Sequence, residues 1–189
     1  MNLYLVRHGQ AVSNLESRHG GWCQLPLTEK GFDDTRRAGE TLSKIPFDRI
    51  YSSDLKRAIQ TACTALPGCE PIQLSVLRER SVGKLTEWRV EDCVAEYGEF
   101  YIKARAAADF TAFGGENLEM LQDRAAKFLS MLAESPAENI VAFTHEGFVK
   151  AAIDQVLGVQ LKRSCSLVPN GAIIHFVYAD DQWRLVFGA

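Results

Sequence analysis

The sequence predicts an α/β fold with three layers, in which helices cover both faces of a mainly parallel sheet of about six strands. Three observations predict it. Short apolar segments suited to strands alternate along the chain with longer segments of helical periodicity. Near-continuous apolar runs, such as NIVAFT at 139–144, are typical of parallel strands covered on both faces. The length of 189 residues suits one domain with a full core.

The N-terminal half of the chain contains three predicted strands and two predicted helices. The strands are LYLVRHG at 3–9, DRIYS at 48–52 and a short segment at 71–74. A helix begins after Leu27, with Thr28 as its N-cap. Ser53 is placed to cap the second helix, and Arg57 falls in its first turn, off the apolar face. That face is predicted from residues at helical spacing: Leu55, Ala58, Ile59, Ala62, Cys63 and Leu66.

The C-terminal half repeats the alternation after a less regular segment. Residues 86–112 are expected to be helical but are weakly patterned. The strand at 139–144 runs into a helix through Leu157, for which Gly158 is a suitable C-cap. Two closing strands are predicted at 172–178 and 182–187. The helix before 139 is strongly amphipathic, with apolar residues at Leu118, Leu121, Ala125, Phe128, Leu129 and Leu132.

Composition restricts the classes of partner. A net charge of −3 argues against broad binding to nucleic acid or anionic membranes, which requires excess basic charge. No apolar run approaches the roughly 18 residues of a membrane span, and the chain begins directly on a predicted strand without a leader. The five cysteines are scattered and lack metal-ligand spacing, which favours buried thiols in a reducing cytoplasm: Cys23, Cys63, Cys69, Cys93 and Cys165.

Three predicted strand-to-helix junctions carry polar side chains. Arg7 and His8 follow the first strand, Arg57 follows the second, and His145 follows NIVAFT. If these strands are parallel, the side chains meet at the sheet edge where ligands bind in open α/β folds. Guanidinium groups and helix N-termini suit a dianionic phosphate, and their positive charge keeps His8 neutral and nucleophilic. The sequence therefore predicts phosphate chemistry at this edge.

Arg57, His145 and Glu79, each taken alone, also have an interpretation that does not involve phosphate chemistry. Arg57 would be a solvated surface charge, and His145 would cap the helix that follows it. Glu79, between Arg78 and Arg80, would form a surface ion pair of little energetic value.

Five segments in order resemble the motifs of the histidine phosphatase superfamily, whose fold is phosphoglycerate-mutase-like. They are LVRHGQAVSN, YSSDLKRAIQTA, LRERSVGKL, GGENLEM and FTHEGF. The resemblance covers nearly the whole chain. It implies one domain over residues 1–189, in which a helical insertion at 85–115 forms part of the substrate wall.

The resemblance implies a reaction through a phosphorylated histidine. His8 attacks phosphorus, while Arg7, Arg57 and His145 hold the phosphoryl group. Glu79 protonates the departing alkoxide, a poor leaving group, and then deprotonates the water that hydrolyses the phosphohistidine. Neither a metal nor a cofactor is implied, because fixed cations neutralise the phosphate charge. The implied partner is a small phosphorylated metabolite.

Further motif positions imply contacts around this centre. Asn14 and Gly147 are expected to bind phosphate, and Gly20 and Gly21 are expected to bind substrate. Many relatives carry glycine where this chain has Glu146. A carboxylate there would repel phosphate unless it turned outward or recognised a cationic group on the substrate.

Phosphatase and mutase are the two main alternatives for the reaction. The opening segment through Gly20 and Gly21 aligns without gaps to phosphoglycerate mutases. Mutases, however, carry a tyrosine three residues after the acid, where this chain has Val82. No Arg-Arg pair occurs in residues 80–144, a stretch too short for the mutase cap. These differences favour a phosphatase.

Two other functions remain open from the sequence. One is a non-catalytic protein that binds a phosphorylated ligand, although none of the expected site residues is missing. The other is a protein-phosphohistidine phosphatase, whose members can lack the acid segment present here. If Glu79 is not the acid, Glu87 and Glu116 are the next candidates.

Overall fold

The computed structural model describes residues 1–159 and 168–187. Its centre is a six-stranded sheet with the order β3-β2-β4-β1-β5-β6. Strands β1, β2, β3 and β4 are parallel, whereas β5 pairs antiparallel with β1, and β6 pairs antiparallel with β5 at the edge of the sheet. The predicted α/β fold class is confirmed. The strands are β1 (Asn2–Arg7), β2 (Arg49–Ser52), β3 (Ile72–Gln73), β4 (Asn139–Thr144), β5 (Ile173–Ala179) and β6 (Gln182–Leu185).

Six α-helices connect the strands of the described chain, and their ends follow local sequence signals. The Thr28 hydroxyl accepts a hydrogen bond from the Gly31 N–H at 3.1 Å, which confirms Thr28 as an N-cap. Gly158 adopts a left-handed conformation with φ of 64° and confirms the predicted C-cap. The helices are α1 (Val12–Leu15), α2 (Glu29–Leu42), α3 (Lys56–Ala65), α4 (Val90–Ala107), α5 (Leu118–Ala133) and α6 (Glu146–Leu157).

Two hydrophobic clusters lie on opposite faces of the sheet. Leu3 and Leu5 of β1 pack with α5 and α6, including Phe128. Val6, which points to the other face, packs with α2 and α3, including Leu42. Helices on both faces leave the carboxyl ends of β1, β2 and β4 at one shared edge, as the sequence predicts.

The segment before α5 departs most from simple helical structure. Helix α4 is interrupted at Gly98, whose φ of 53° breaks the helical backbone. Short 3-10 helices flank α4 at 83–85 and 111–113. The segment has a hydrophobic cluster of its own, which includes Leu85, Tyr101 and Phe110. This separate cluster accounts for the weak pattern, because the helix does not pack on the sheet.

Helix α3 buries a face rotated by about one residue from the predicted one. Arg57, Thr61 and Ala65 are buried together with Ala58 and Ala62. Cys63 consequently faces solvent, so the expectation that all thiols are buried was wrong. Cys165 lies outside the described residues.

Two smaller expectations about local structure were also wrong. The N-cap of α3 is Leu55, not Ser53, because the chain remains extended for two residues longer. The strand predicted at 71–74 is only two residues long.

Among the described helices, none is long and apolar enough to cross a membrane.

Candidate active site

The three predicted junctions meet at the carboxyl edge of the parallel strands. β1 leads to His8, β4 leads to His145, and β2 leads through Ser53 to Arg57. The imidazole rings of His8 and His145 lie with their centroids 5.1 Å apart at 60°. Parallel pairing of β1 and β2 with β4 therefore brings together side chains far apart in sequence.

The His8 ring is held in one orientation by contacts to both nitrogens. Its Nδ1 lies 2.7 Å from the Gly9 carbonyl oxygen, which can only accept a hydrogen bond. Nδ1 therefore carries the proton, and Nε2 is unprotonated. Arg57 Nε lies 3.3 Å from this Nε2, consistent with donation to it. His8 consequently presents an unprotonated nitrogen beside a cation.

Burial and charge favour the neutral form of His8. The residue is only 4% exposed. Burial lowers the pKa of His8 well below its ordinary value of 6.5, and the nearby Arg57 and Arg7 lower it further. The imidazole is therefore unprotonated near neutral pH, the state that a nucleophile requires.

Arg57 is fully buried and fixed by the loop before α2. Its Nη1 donates to the Cys23 carbonyl at 2.9 Å, and its Nη2 donates to the Gly21 carbonyl at 2.8 Å. A Cβ added to Gly20 would lie 3.7 Å from Arg57 Nη2. The two glycines predicted to bind substrate thus lie beside the guanidinium group.

His145 is oriented by a serine that sequence reasoning assigned only to capping. Ser53 Oγ lies 2.9 Å from His145 Nε2 and accepts a hydrogen bond from the Leu55 N–H. When the serine hydroxyl donates to Nε2, the His145 proton lies on Nδ1. Burial, followed by Arg57, lowers the pKa of His145 well below 6.5. A neutral ring with an N–H at Nδ1 can donate to a phosphoryl oxygen.

Arg7 forms an ion pair with Glu146, the carboxylate at a position where many relatives carry glycine. Its Nη1 lies 3.0 Å from Glu146 Oε2 and also donates to the Val168 carbonyl. Glu146 has a second cationic partner in Lys150, at 2.6 Å. Two positive charges therefore offset the Glu146 charge inside the chain, which reduces its repulsion of a phosphate.

Two buried nitrogens of the site lack a hydrogen-bond partner among the described residues. They are Arg7 Nε and His145 Nδ1. Buried polar groups are nearly always hydrogen-bonded, because an unpaired one costs on the order of 1–3 kcal/mol. Both atoms belong to residues that the sequence assigns to phosphate binding. An anion with several acceptor oxygens would satisfy them.

Glu79 reaches the site through its carboxylate. Its Oε1 accepts the Arg80 N–H at 2.8 Å, and its Oε2 accepts the Gly147 N–H at 3.2 Å. A Cβ added to Gly147 would collide with Oε1, so only glycine lets the two groups approach this closely. The Gly147 N–H, predicted to face phosphate, contacts the proposed acid in this structure.

Asn14 lies at the edge of the centre rather than inside it. The residue is exposed, and its Oδ1 accepts the Ala11 N–H at 2.9 Å, which caps the short helix α1. Its role in phosphate binding stays a prediction. Within the residues that the structure describes, no three His, Cys, Asp or Glu side chains form a cluster suited to a metal ion.

Sequence reasoning missed several residues that hold this site. Ser53 contacts His145, and Asn170 Nδ2 donates to the His8 carbonyl at 3.0 Å. Arg124 of α5 contacts the backbone around Glu79, 45 positions away. Only Ser53 had a sequence signal, since it lies in the YSSDLKRAIQTA motif. The other two contacts depend on tertiary packing.

Residues 3–188 match the model of the family described as "Histidine phosphatase superfamily (branch 1)". The chain belongs to this superfamily. The resemblance inferred from the five motifs is confirmed, and the chain is an enzyme of the histidine phosphatase superfamily.

Members of this superfamily similar to the chain include both phosphatases and mutases. A 2,3-bisphosphoglycerate-dependent phosphoglycerate mutase 2 of Gloeobacter violaceus is 32% identical over 80% of this chain and 73% of its own length. An adenosylcobalamin/α-ribazole phosphatase of Salmonella typhi is 28% identical over 98% of this chain and 90% of its own length. A mycobacterial glucosyl-3-phosphoglycerate phosphatase, solved with VO3, has a TM-score of 0.85 at 25% identity, covering 98% of this chain and 96% of that one.

Proposed function

We propose that this enzyme hydrolyses a small phosphomonoester through a phosphohistidine formed on His8. The observation that carries the proposal is the state of the His8 ring. Its Nδ1 donates to the Gly9 carbonyl, and its unprotonated Nε2 accepts a hydrogen bond from Arg57 Nε. A buried, neutral imidazole next to a fixed guanidinium is suited to attack on a phosphorus atom.

The first half of the proposed reaction transfers the phosphoryl group to the protein. His8 Nε2 forms a bond to phosphorus as the bond from phosphorus to the ester oxygen breaks. Arg57 stabilises the charge on the phosphoryl oxygens, assisted by Arg7 and the N–H of His145. Glu79 gives a proton to the leaving oxygen, which departs as an alcohol.

The second half restores the enzyme. Glu79, now a carboxylate, takes a proton from a water molecule that attacks the phosphohistidine. The phosphorus–nitrogen bond breaks, inorganic phosphate leaves, and His8 returns to the neutral form. The proposal requires no metal ion, because guanidinium groups supply the neutralising charge.

The nitrogens without partners support a phosphate as the group that is bound. Arg7 Nε and His145 Nδ1 are both buried, and each is suited to donate to an oxygen atom. The structural neighbour in complex with VO3 adds support, because that ion resembles a phosphoryl group in its charge and oxygen ligands.

The mutase activity of one relative is the principal alternative. A mutase must retain a bisphosphate, which calls for additional cations and a longer cap. Val82, at the position of the mutase tyrosine, is 5% exposed and packs in the cluster with Leu85 and Phe113. An apolar, buried side chain cannot donate to a second phosphate. Hydrolysis is therefore the favoured reaction.

We also propose that residues 1–189 form a single domain in which 85–115 contributes to the substrate wall. The His19 N–H donates to the Trp88 carbonyl at 2.9 Å, and the Glu87 N–H donates to the His19 carbonyl at 2.8 Å. These contacts join the insertion to the loop that carries Gly20 and Gly21. Differences in the insertion would then change which alcohol is accepted.

The decisive experiment combines turnover with detection of the phosphoenzyme. Wild-type protein incubated with p-nitrophenyl phosphate and quenched in base should contain acid-labile phosphate on His8, and His8→Ala should lose this phosphate and turnover together. Near-native hydrolysis by His8→Ala would overturn the nucleophile. Phosphorylation without turnover would favour a non-catalytic role.

Substrate identity requires a second experiment. A panel of metabolite phosphomonoesters, assayed for released phosphate, should identify a small phosphorylated metabolite as substrate. Interconversion of 3-phosphoglycerate and 2-phosphoglycerate, assayed with 2,3-bisphosphoglycerate present, should be negligible. Rapid interconversion would establish the mutase alternative instead.

A further inference from the structure

The segment that carries Glu79 has no regular secondary structure to hold it. Residues 78–82 lie between the 3-10 helices at 75–77 and 83–85, outside any strand or α-helix. A catalytic acid must nevertheless stay within hydrogen-bond reach of the leaving oxygen. Side-chain contacts from elsewhere must therefore fix this backbone.

Arg124 of α5 donates to three backbone carbonyls of residues 76–79, and Trp22 Nε1 also donates to the Glu79 carbonyl at 2.8 Å. Arg124 Nη1 donates to the Val76 carbonyl at 2.7 Å and to the Arg78 carbonyl at 2.8 Å. Its Nη2 donates to the Glu79 carbonyl at 3.2 Å. One guanidinium group thus binds three carbonyl groups within four consecutive residues, including that of the proposed acid.

Glu116 completes the arrangement. Its two carboxylate oxygens accept Arg124 Nε and Nη2, each at 2.9 Å. The same carboxylate accepts the Ser81 N–H at 2.7 Å, and the Glu116 N–H donates to the Ser81 carbonyl at 2.9 Å. The Arg124–Glu116 pair therefore holds the chain on both sides of Glu79.

The Arg124 contacts leave no donor for a substrate. A guanidinium group has five N–H donors, and the five contacts described above use all of them. The Arg124 side chain is 16% exposed and that of Glu116 is 11% exposed. Glu116 is likewise occupied, which makes it a poor substitute for Glu79 as a proton donor. This pair orients other groups and does not bind phosphate.

We propose that Arg124, together with Glu116, is a positioning residue for the general acid Glu79. The inference rests on the proposed function, since it requires Glu79 to protonate the leaving group. Without Arg124, the 76–81 backbone would lose three hydrogen bonds, and the Glu79 carboxylate would no longer be fixed beside Gly147. Chemistry that needs an acid would slow, whereas attack by His8 on an activated ester would continue.

The test uses two aryl esters of similar shape that differ in their need for an acid. Phenyl phosphate releases a basic phenolate, and p-nitrophenyl phosphate releases a phenolate that departs without a proton. Arg124→Lys keeps the charge but cannot reach five acceptors. We expect its kcat/KM on phenyl phosphate, which reports formation of the phosphohistidine, to fall about tenfold further than its kcat/KM on p-nitrophenyl phosphate, a part of the roughly 10²–10⁴-fold that a general acid contributes.

A double variant separates positioning from a general loss of structure. If Arg124 acts through Glu79, then Arg124→Lys should add no further leaving-group selectivity to Glu79→Gln. Lys127→Gln, an exposed change on the same helix, is the matched control and should leave both rates unchanged. If Arg124→Lys does not fold, Glu116→Gln gives the same comparison with a smaller perturbation.

The outcomes distinguish failure of this inference from failure of the proposed function. Equal losses on both esters in a folded Arg124 or Glu116 variant, with a selective loss in Glu79→Gln, would overturn the positioning role alone. Equal losses in Glu79→Gln itself would remove the acid assignment, and the positioning role with it. The phosphohistidine on His8 would still be decided by its own experiment.

Discussion

The two buried histidines predict a marked loss of stability in mild acid. Burial, followed by the charges of neighbouring groups, holds the pKa values of His8 and His145 well below 6.5 in the folded protein. In the unfolded chain both rings titrate near the ordinary value. Between these pKa values the unfolded state binds more protons, so stability falls as pH decreases from about 6.5.

The size of the loss follows from the unfolded-state titration. One pH unit below its pKa of 6.5, an unfolded histidine gains about 1.4 kcal/mol by binding a proton that the folded state does not bind. His8 and His145 together would therefore reduce the free energy of unfolding by up to about 3 kcal/mol between about pH 8 and pH 5.5. Above about pH 7.5 the contribution is nearly absent.

Urea denaturation at the two pH values measures this loss. Wild type should lose up to about 3 kcal/mol, and His8→Gln should lose up to about 1.4 kcal/mol less because one titrating group is gone. His175→Gln is the graded control: partial burial lowers the pKa of His175, but the residue is partly exposed, so its effect should be smaller. An identical pH-dependent loss in wild type and His8→Gln would refute a neutral, buried His8.

Three further predictions concern activity. Arg57→Ala should reduce kcat/KM on p-nitrophenyl phosphate by roughly 10²–10³, the usual effect of removing one preorganised stabilising group; a loss below tenfold would show that Arg57 has another role. Gly147→Ala should displace the Glu79 carboxylate and slow phenyl phosphate more than p-nitrophenyl phosphate, a difference readable in initial rates. Hydrolysis should persist in EDTA and be inhibited by vanadate, whereas loss in EDTA that Mg²⁺ restores would contradict the mechanism.

Local patterns in the sequence were sufficient for most of the fold. The NIVAFT strand, the Thr28 cap and the Gly158 cap depend on neighbouring residues, and all three are found where the patterns predict them. Helix α3 shows where this reasoning fails. Its apolar residues predict one buried face, but the fold rotates the helix so that Arg57 enters the site.

The candidate site likewise has features that the sequence predicts and features that only the tertiary structure shows. His8 and His145 follow strands, so parallel pairing alone brings them to one edge. The contacts that orient them are less predictable. Ser53 contacts His145, and Arg124 contacts the backbone of Glu79, although each pair is widely separated in sequence. No pattern of charge or periodicity in the sequence predicts either pairing.

The separate hydrophobic cluster of the 85–115 insertion has a consequence for how such enzymes diversify. Its apolar contacts are largely its own, with Cys93, Tyr101 and Phe110 packing together away from both faces of the sheet. Exchanging this segment between relatives would therefore leave the two main clusters and the β1 and β4 edge intact. If residues 85–115 form part of the substrate wall, as proposed above, a chimera that carries this segment from a relative should keep the host's phosphoryl chemistry while acquiring the donor's choice of alcohol. Substrate recognition would then change with little effect on the residues that break the bond.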